Sequence, residues 1–260
     1  MTSEIMMKRP LGWAAAALAL TLFQGCATGP NANPADPLEP FNRTVFNFND
    51  GVDRAIIKPV ATAYQDVTPE LVRRGVTNFF GNISDAWSMV NNVLQFKPEA
   101  AGESFFRVAV NTFWGLGGIL DVASEMQIGR HTMDFGQTMG YWGVASGPYL
   151  VLPLLGPSSV RDSIGTLVDM QGNLVNRVDD VPVRNSLIGL RAVNARARLL
   201  GVGDVLERAA LDKYSFARDI YLQRRRSSIG GAAAPTEERF DLPEAAPGAG
   251  QPAAPASAAQ

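Results

Sequence analysis

One cysteine, Cys26, stands at the end of a leader-like segment, and its position limits how the rest of the chain can fold. Lys8 and Arg9 supply a positive start, residues 11–23 an apolar stretch, and Leu22-Phe23-Gln24-Gly25 precede the thiol. Met7-Lys8-Arg9 makes a tidier start than Met1. The order is that of a lipoprotein signal: residues 1–25 are cleaved, the Cys26 thiol is acylated, and the mature chain begins at a membrane surface. Several acyl chains at about 0.8 kcal/mol per buried CH₂ anchor firmly where one is marginal. The alternative is an ordinary secretory signal with an unlinked cysteine nearby. With its single thiol committed to lipid, the chain has no disulfide framework and no thiolate metal site to fold around.

Residues 26–35 read as an acylated tether, with order expected to begin near Asp36-Pro37-Leu38-Glu39-Pro40. Residues 230–260 are rich in Ala, Pro and Gly and cannot bury enough surface to offset chain entropy, so they are expected to form a disordered tail. That leaves a body, 36–229, large enough for one sizeable domain. Its charges balance, and the whole chain carries a net charge of only -2. Such neutrality argues against nucleic acid as a partner. The longest apolar run of the body, 149–155, is too short for the roughly 20 residues of a spanning helix and is interrupted by Pro153. No series of alternating ten-residue segments marks an outer-membrane barrel. Deeper lipid contact would have to come from amphipathic helices or a protein partner.

The spacing of apolar residues from Phe41 to Ile57, with steps of 3, 4 and 7, predicts an amphipathic helix stopped by Pro59. It carries three Phe within eight residues. Two placements fit: a helix facing the core, or one lying in the bilayer interface with its Phe face in lipid. Thr68-Pro69-Glu70 reads as a helix start with Thr68 as cap, opening 71–80, and Ser84 as the cap of a further helix to Phe96. Pro98-Glu99 opens another through Trp114, apolar over much of its circumference and therefore central or lipid-facing. Nine glycines between 115 and 156, interleaved with aromatics, predict short helical turns and packed loops there, with no sheet. Ser159-Val160-Arg161-Asp162 resembles a capping box starting a helix to about Met170. Two Ala/Leu/Arg-rich helices follow between Val183 and Arg226, the second capped by Asp204. Arg184, Arg191 and Arg198, seven apart, form one cationic stripe: either a solvated face or a site for lipid phosphates or an acidic partner.

No enzyme emerges from the residues. His131 is the only histidine. A hydrolase would have to pair it with Ser146, Ser158 or Ser159, and no Gly-x-Ser-x-Gly elbow is present. A histidine metal site lacks a second imidazole, and no acidic cluster has calcium-loop spacing. Gly115-Leu116-Gly117-Gly118 lacks the Lys-Ser/Thr of a phosphate loop. No cofactor is expected.

Three stretches, taken together, carry a resemblance. The first is Asp36-Pro37-Leu38-Glu39-Pro40-Phe41-Asn42-Arg43 running into Phe46-Asn47-Phe48-Asn49. The second is Asn111-Thr112-Phe113-Trp114-Gly115-Leu116-Gly117-Gly118 with Asp121-Val122-Ala123. The third runs from Phe135-Gly136-Gln137-Thr138 through Trp142-Gly143-Val144 and Gly147-Pro148-Tyr149 to Gly156-Pro157-Ser158 and Arg161-Asp162. Between Asp36 and Arg226 the chain closely resembles the MlaA (VacJ) family of outer-membrane lipoproteins. The resemblance implies an all-α fold of amphipathic helices in a ring-like arrangement, lying largely in the membrane plane around a central amphipathic channel. It implies removal of phospholipid from the outer leaflet of the outer membrane, alongside a trimeric porin, with delivery to a soluble periplasmic carrier of the MlaC type. Ala27 after the acylated cysteine, in place of an inner-membrane-retaining Asp, agrees with the outer membrane. A porin-bound scaffold that moves nothing, or an outer-membrane phospholipase, are the competing readings. The expected lipid path runs by Gly115, Gly117 and Gly118. The helix bearing Phe41, Asn42, Arg43, Phe46 and Asn47 is expected to set which leaflet has access.

Overall fold

The computed structural model describes residues 36–201 and 212–230. Cys26, the tether, Asp204 and most of the C-terminal tail lie outside them. Helix α1, Glu39–Val52, continues through a π-helical segment, Asp53–Ile57, into α2, Lys58–Val67. Pro59 therefore does not stop the helix. A proline inside a helix removes one N–H and crowds the carbonyl four residues back. The π turn widens the backbone just ahead of it, and the Lys58 amide reaches Asp53 at i→i−5.

Helix α3 runs unbroken from Glu70 to Leu94. Thr68 ends α2, Pro69 occupies the N-cap position without a side-chain cap, and Ser84 lies mid-helix. The two helices expected here are one, with the partly buried Ser84 lying mid-helix among the buried Asn82, Asp85 and Ser88. Helix α4, Pro98–Phe113, starts at the expected proline and packs along α3. A short α5, Val122–Glu125, capped by Asp121, and α6, Phe135–Tyr141, capped by Asp134, follow.

Most of the described chain is helical, as expected, but the glycine-rich middle also contains a hairpin. Strand β1, Tyr149–Leu152, pairs antiparallel with β2, Gly156–Ser159, with Tyr149 opposite Ser159 and Leu152 opposite Gly156. A two-stranded hairpin alone is marginal. Here two asparagines of α1 complete the free edge of β1. Asn42 donates to the Tyr149 carbonyl at 3.0 Å and accepts from the Val151 amide at 2.9 Å. Asn49, seven residues on, donates to Leu152 O at 2.9 Å and accepts from the Leu154 amide at 2.8 Å.

Ser159 then caps α7, Val160–Gly172, as the capping-box spacing predicts. Asp162 does not reach back to close the box. It takes Arg161, Tyr221 and Arg225 instead. Helix α6 crosses α7 so closely that a methyl on Gly165 would lie 2.6 Å from the Gly136 amide nitrogen. A 3₁₀ turn, Leu174–Arg177, leads to α8, Val181–Arg198, which packs on α2 and α3. Helix α9, Lys213–Gly230, returns to α6 and β2. Arg224, Arg225 and Arg226 thus sit within its closing turns.

The interior is polar. Among the described residues, eleven hydrophobic side chains are buried against eighteen polar or charged ones, while thirty-five large hydrophobics are exposed. That is the reverse of a water-soluble domain. On α3 the buried positions include Asn82, Asp85, Ser88, Asn91 and Asn92. On α4 they include Ser104, Arg107 and Asn111. Arg107 is held by Asp85 at 3.4 Å, Asp121 at 2.8 Å and the Ile128 carbonyl at 2.6 Å. Arg130 forks onto both oxygens of the same Asp85. Phe105, Phe106, Phe113 and Trp114 of the α4 region point outward, so the broad apolar surface of this helix is external and not central. On α1, Phe41 and Phe48 are likewise exposed while Asn42 is fully buried. The Phe face is divided: Phe46 packs on the buried cluster of Tyr149, Val151 and Tyr214, while Phe41 and Phe48 stand outside it. No helix among the described residues is long and apolar enough to cross a membrane.

Candidate functional site

Helices α3 and α8 run beside each other, and each is split lengthwise. From α3, Thr77, Gly81 and Ser84 look one way, while Leu71, Val76 and Phe79 look the other. From α8, Arg191, Asn194 and Arg198 belong to the first side and Leu187 and Leu190 to the second. The first side is a chain of three cavities of about 300, 230 and 170 Å³, each lined by polar and apolar surface together. Thr77, Asn194 and Arg198 are common to the first two, and Ser84, Thr132 and Arg191 to the last two, so the cavities form one groove. The second side is an apolar cavity of about 500 Å³, roofed in part by Ile119. Phe80, only 6% exposed, belongs to both the apolar cavity and the middle cavity of the groove. One ring separates the two environments.

The cations of the groove fall into two groups. Arg74 pairs with Glu70, Arg73 donates to the backbone carbonyls of Gln65 and Thr68, and Arg130 is committed to Asp85. Gly81 makes room for Arg130, since a methyl there would meet its guanidinium. Arg191 and Arg198 have no hydrogen-bond or ion-pair partner among the described residues. Arg191 is half-buried, and burial pushes its guanidinium below its ordinary value with no neighbouring charge offsetting it. An unpaired, partly desolvated guanidinium is a strong donor to a phosphate or carboxylate. Beside it, the apolar cavity can take aliphatic chain. The arrangement suits an amphiphile with an anionic head.

His131 Nε2 lies 2.6 Å from Glu103 Oε2, Ser158 bonds Ser163 at 3.0 Å, and Ser159 caps α7. None of the described hydrogen bonds joins His131 to a serine.

The sequence of this chain matches the MlaA lipoprotein model over residues 34–228. It belongs to the MlaA lipoprotein family. The intermembrane phospholipid transport system lipoprotein MlaA of Shigella flexneri and that of Escherichia coli K12 are each 38% identical to it over 216 residues, covering 81% of this chain and 85% of theirs. The protein of the same description from Haemophilus influenzae is 32% identical over 238 residues, covering 88% and 92%. A solved chain from work on the maintenance of bacterial outer-membrane lipid asymmetry superposes with a TM-score of 0.66 at 35% identity. It covers 75% of this chain and 98% of that one.

The stretches that resemble MlaA take distinct places. Asn42 is the buried hairpin clamp described above. Arg43 bridges Glu39 and Asp212, each at 2.7 Å, and the hydrogen bond from Arg43 holds the Asp212 carboxyl far below the usual carboxylate range. Phe46 stacks edge-on against Tyr214, and Asn47 is exposed. These residues join α1 to α9 and the hairpin. Gly115, Gly117 and Gly118 form the reversal after α4. A methyl on Gly115 would meet the Leu120 and Asn111 carbonyl oxygens at 2.3 and 2.4 Å, and Gly117 and Gly118 have φ of 71° and 92°. None of the three lines the cavities described above. Their neighbour Ile119 does. Of the arginine stripe, Arg191 and Arg198 line the groove, whereas Arg184 donates to Val178 O at 3.4 Å apart from it. The buried Asp85–Arg107–Asp121 network and the apolar cavity did not emerge from the sequence. Their signal is the polar spacing Asn78, Asn82, Asp85, Asn92 on α3 and Ser104, Arg107, Asn111 on α4, an amphipathic pattern turned inward.

Proposed function

We propose that this chain is an acylated outer-membrane lipoprotein that takes mislocalised phospholipid from the outer leaflet and passes it to a soluble periplasmic carrier of the MlaC type. The carrying observation is that a groove bearing the unpaired Arg191 and Arg198 lies against an apolar cavity, with only the Phe80 ring between them. The head group follows the arginines and the acyl chains follow the apolar wall. The exposed faces of α1, α3 and α4 rest in lipid, with the helices largely in the membrane plane and the polar interior turned to the passage. The lipid of Cys26 holds the protein to the periplasmic leaflet, and a trimeric porin is the expected neighbour on the apolar rim. The transport names of the relatives from Escherichia coli and Haemophilus influenzae favour the same reading. Moving a lipid whole breaks no bond and asks for no cofactor.

The test is transfer of labelled phospholipid from vesicles containing the full-length acylated protein to purified carrier. Arg191→Gln with Arg198→Gln lowers transfer about tenfold while the helical signal is kept, because two charge-assisted phosphate contacts are lost. A wild-type protein that transfers nothing leaves the scaffold reading in its place. Lysophospholipid that appears with the wild type and vanishes with His131→Ala would mean hydrolysis.

A further inference from the structure

The smallest cavity of the groove holds an anion-seeking and a cation-seeking group together. It is lined by Trp87, Met133, Asp134, Asp169, Asn173 and Arg191, among others, and has a volume of about 170 Å³. Asp134 is already satisfied: one oxygen accepts the Gln137 amide at 2.8 Å, and the other pairs with Arg225 at 2.6 Å. Asp169 is not. Its Oδ1 accepts both the Trp87 indole N–H at 2.7 Å and the Phe135 amide at 2.9 Å, while Oδ2 accepts none of the described hydrogen bonds. Burial, reinforced by the Asp134 charge, holds this carboxyl above its ordinary range despite the two donors, and a cation placed beside it would reverse that shift. Arg191, the unpaired guanidinium, faces both this cavity and the middle one. Asp169 and Arg191 do not pair with each other.

We infer, building on the lipid-path reading above, that this cavity selects head groups that carry an ammonium beyond the phosphate, of the phosphoethanolamine class. The phosphate sits at Arg191, where the two cavities meet. The primary ammonium reaches Asp169 Oδ2 as a donor, the oxygen that the Trp87 and Phe135 N–H groups leave free. A phosphoglycerol head satisfies Arg191 and leaves Asp169 without a counter-charge, so it is accepted less well. A quaternary ammonium has no N–H to donate and ranks between the two.

The test uses full-length acylated protein exchanged into bilayers of equal phosphatidylethanolamine and phosphatidylglycerol, with the bound lipid identified by native mass spectrometry. Phosphatidylethanolamine is expected to be enriched about fivefold over the bilayer ratio, the discrimination of one charge-assisted hydrogen bond in a half-buried site. Asp169→Asn keeps acceptors for Trp87 and Phe135 and abolishes the enrichment while lipid still binds. Phosphatidylethanolamine acetylated on its nitrogen, offered to the unaltered protein, binds no better than phosphatidylglycerol, a result that does not depend on how the variant folds. Bound lipid that simply mirrors the bilayer overturns the head-group inference and leaves the lipid path standing. Absence of any bound lipid, with Arg191→Gln indistinguishable from wild type, overturns both.

Discussion

Two regions of this protein are built by opposite rules. Where α1, the hairpin and α9 meet, Tyr149, Val151 and Tyr214 pack into a small buried apolar cluster, with Phe46 and Tyr221 against it. Polar groups there work at the edges: Asn42 on β1, and Asp36 between Asn42, Tyr214 and Arg218. Between α3 and α4 the centre is Asp85, Arg107, Asn91 and Asn92, and the hydrophobics stand outside. The first region could belong to any domain in water. The second is economical only if what lies outside is itself apolar, because an exposed Phe then loses nothing and a buried ion pair avoids a worse solvent. The contrast is the one that two solvents, apolar outside α3 and α4 and water at the hairpin end, would impose, with the hairpin end the more conventional.

The largest break should come at Arg107. Arg107→Ala leaves Asp85 and Asp121 short of their shared partner in a site where the arginine side chain is only 2% exposed. The expected loss is about 3–5 kcal/mol, read as denaturant unfolding in detergent micelles. A loss below about 1 kcal/mol would mean that water reaches the α3–α4 interior and that the two regions are not so different.

A finer probe lies on α7, where Asp162 and Asp169 shift in opposite directions. Burial raises Asp162, but the bonds from Tyr221 and Arg161 and the charges of Arg225 and Arg161 outweigh it and hold the carboxyl low. Its folded value lies below the unfolded one, so its stabilisation is present above the unfolded pKa near 3.8 and is lost as pH falls through the lower folded value. Asp169 is held high, chiefly by burial, so its charged form costs stability once pH rises through the folded value. Asp162→Asn should therefore destabilise at pH 7 by about 1–3 kcal/mol and flatten the acid limb of the stability curve. Asp169→Asn should leave stability at pH 7 unchanged or slightly higher. Unfolding curves from pH 3 to 8 check both signs.

The smallest effect is expected outside. Phe113 is 80% exposed at the end of α4. Phe113→Ser should change stability in micelles by less than about 0.5 kcal/mol, yet weaken partition into vesicles, measured by flotation. Equal partition would place this face away from lipid.

Much of the helical layout is legible in the sequence because capping chemistry is local. Pro98 opens α4 and Ser159 caps α7 where their neighbours say they should. The misreadings have separate causes. Ser84 looks like a cap because serine in a water-facing helix is most useful at an end, but in α3 it lies among polar residues that fill the interior. Pro59 looks like a stop because the π turn that admits it leaves no compositional mark. The hairpin was hidden among glycines, although Tyr149-Leu150-Val151-Leu152 between Gly147-Pro148 and Pro153 has strand composition. Of the groove, the seven-residue spacing exposed Arg191 and Arg198. Asp169 and Arg130 reach it through the tertiary fold, and no periodicity of their own segments points there.

The polar interior also sets how stability responds to temperature. Unfolding a domain normally uncovers apolar surface, whose hydration raises the heat capacity and bends the stability curve into a dome. Here the buried side chains are mostly amides, hydroxyls and ions, and polar exposure lowers the heat capacity instead. Calorimetry of this protein should give an unfolding heat capacity well below the usual value of about 12–15 cal/mol/K per residue. Its stability curve should be broad and shallow, with little weakening in the cold.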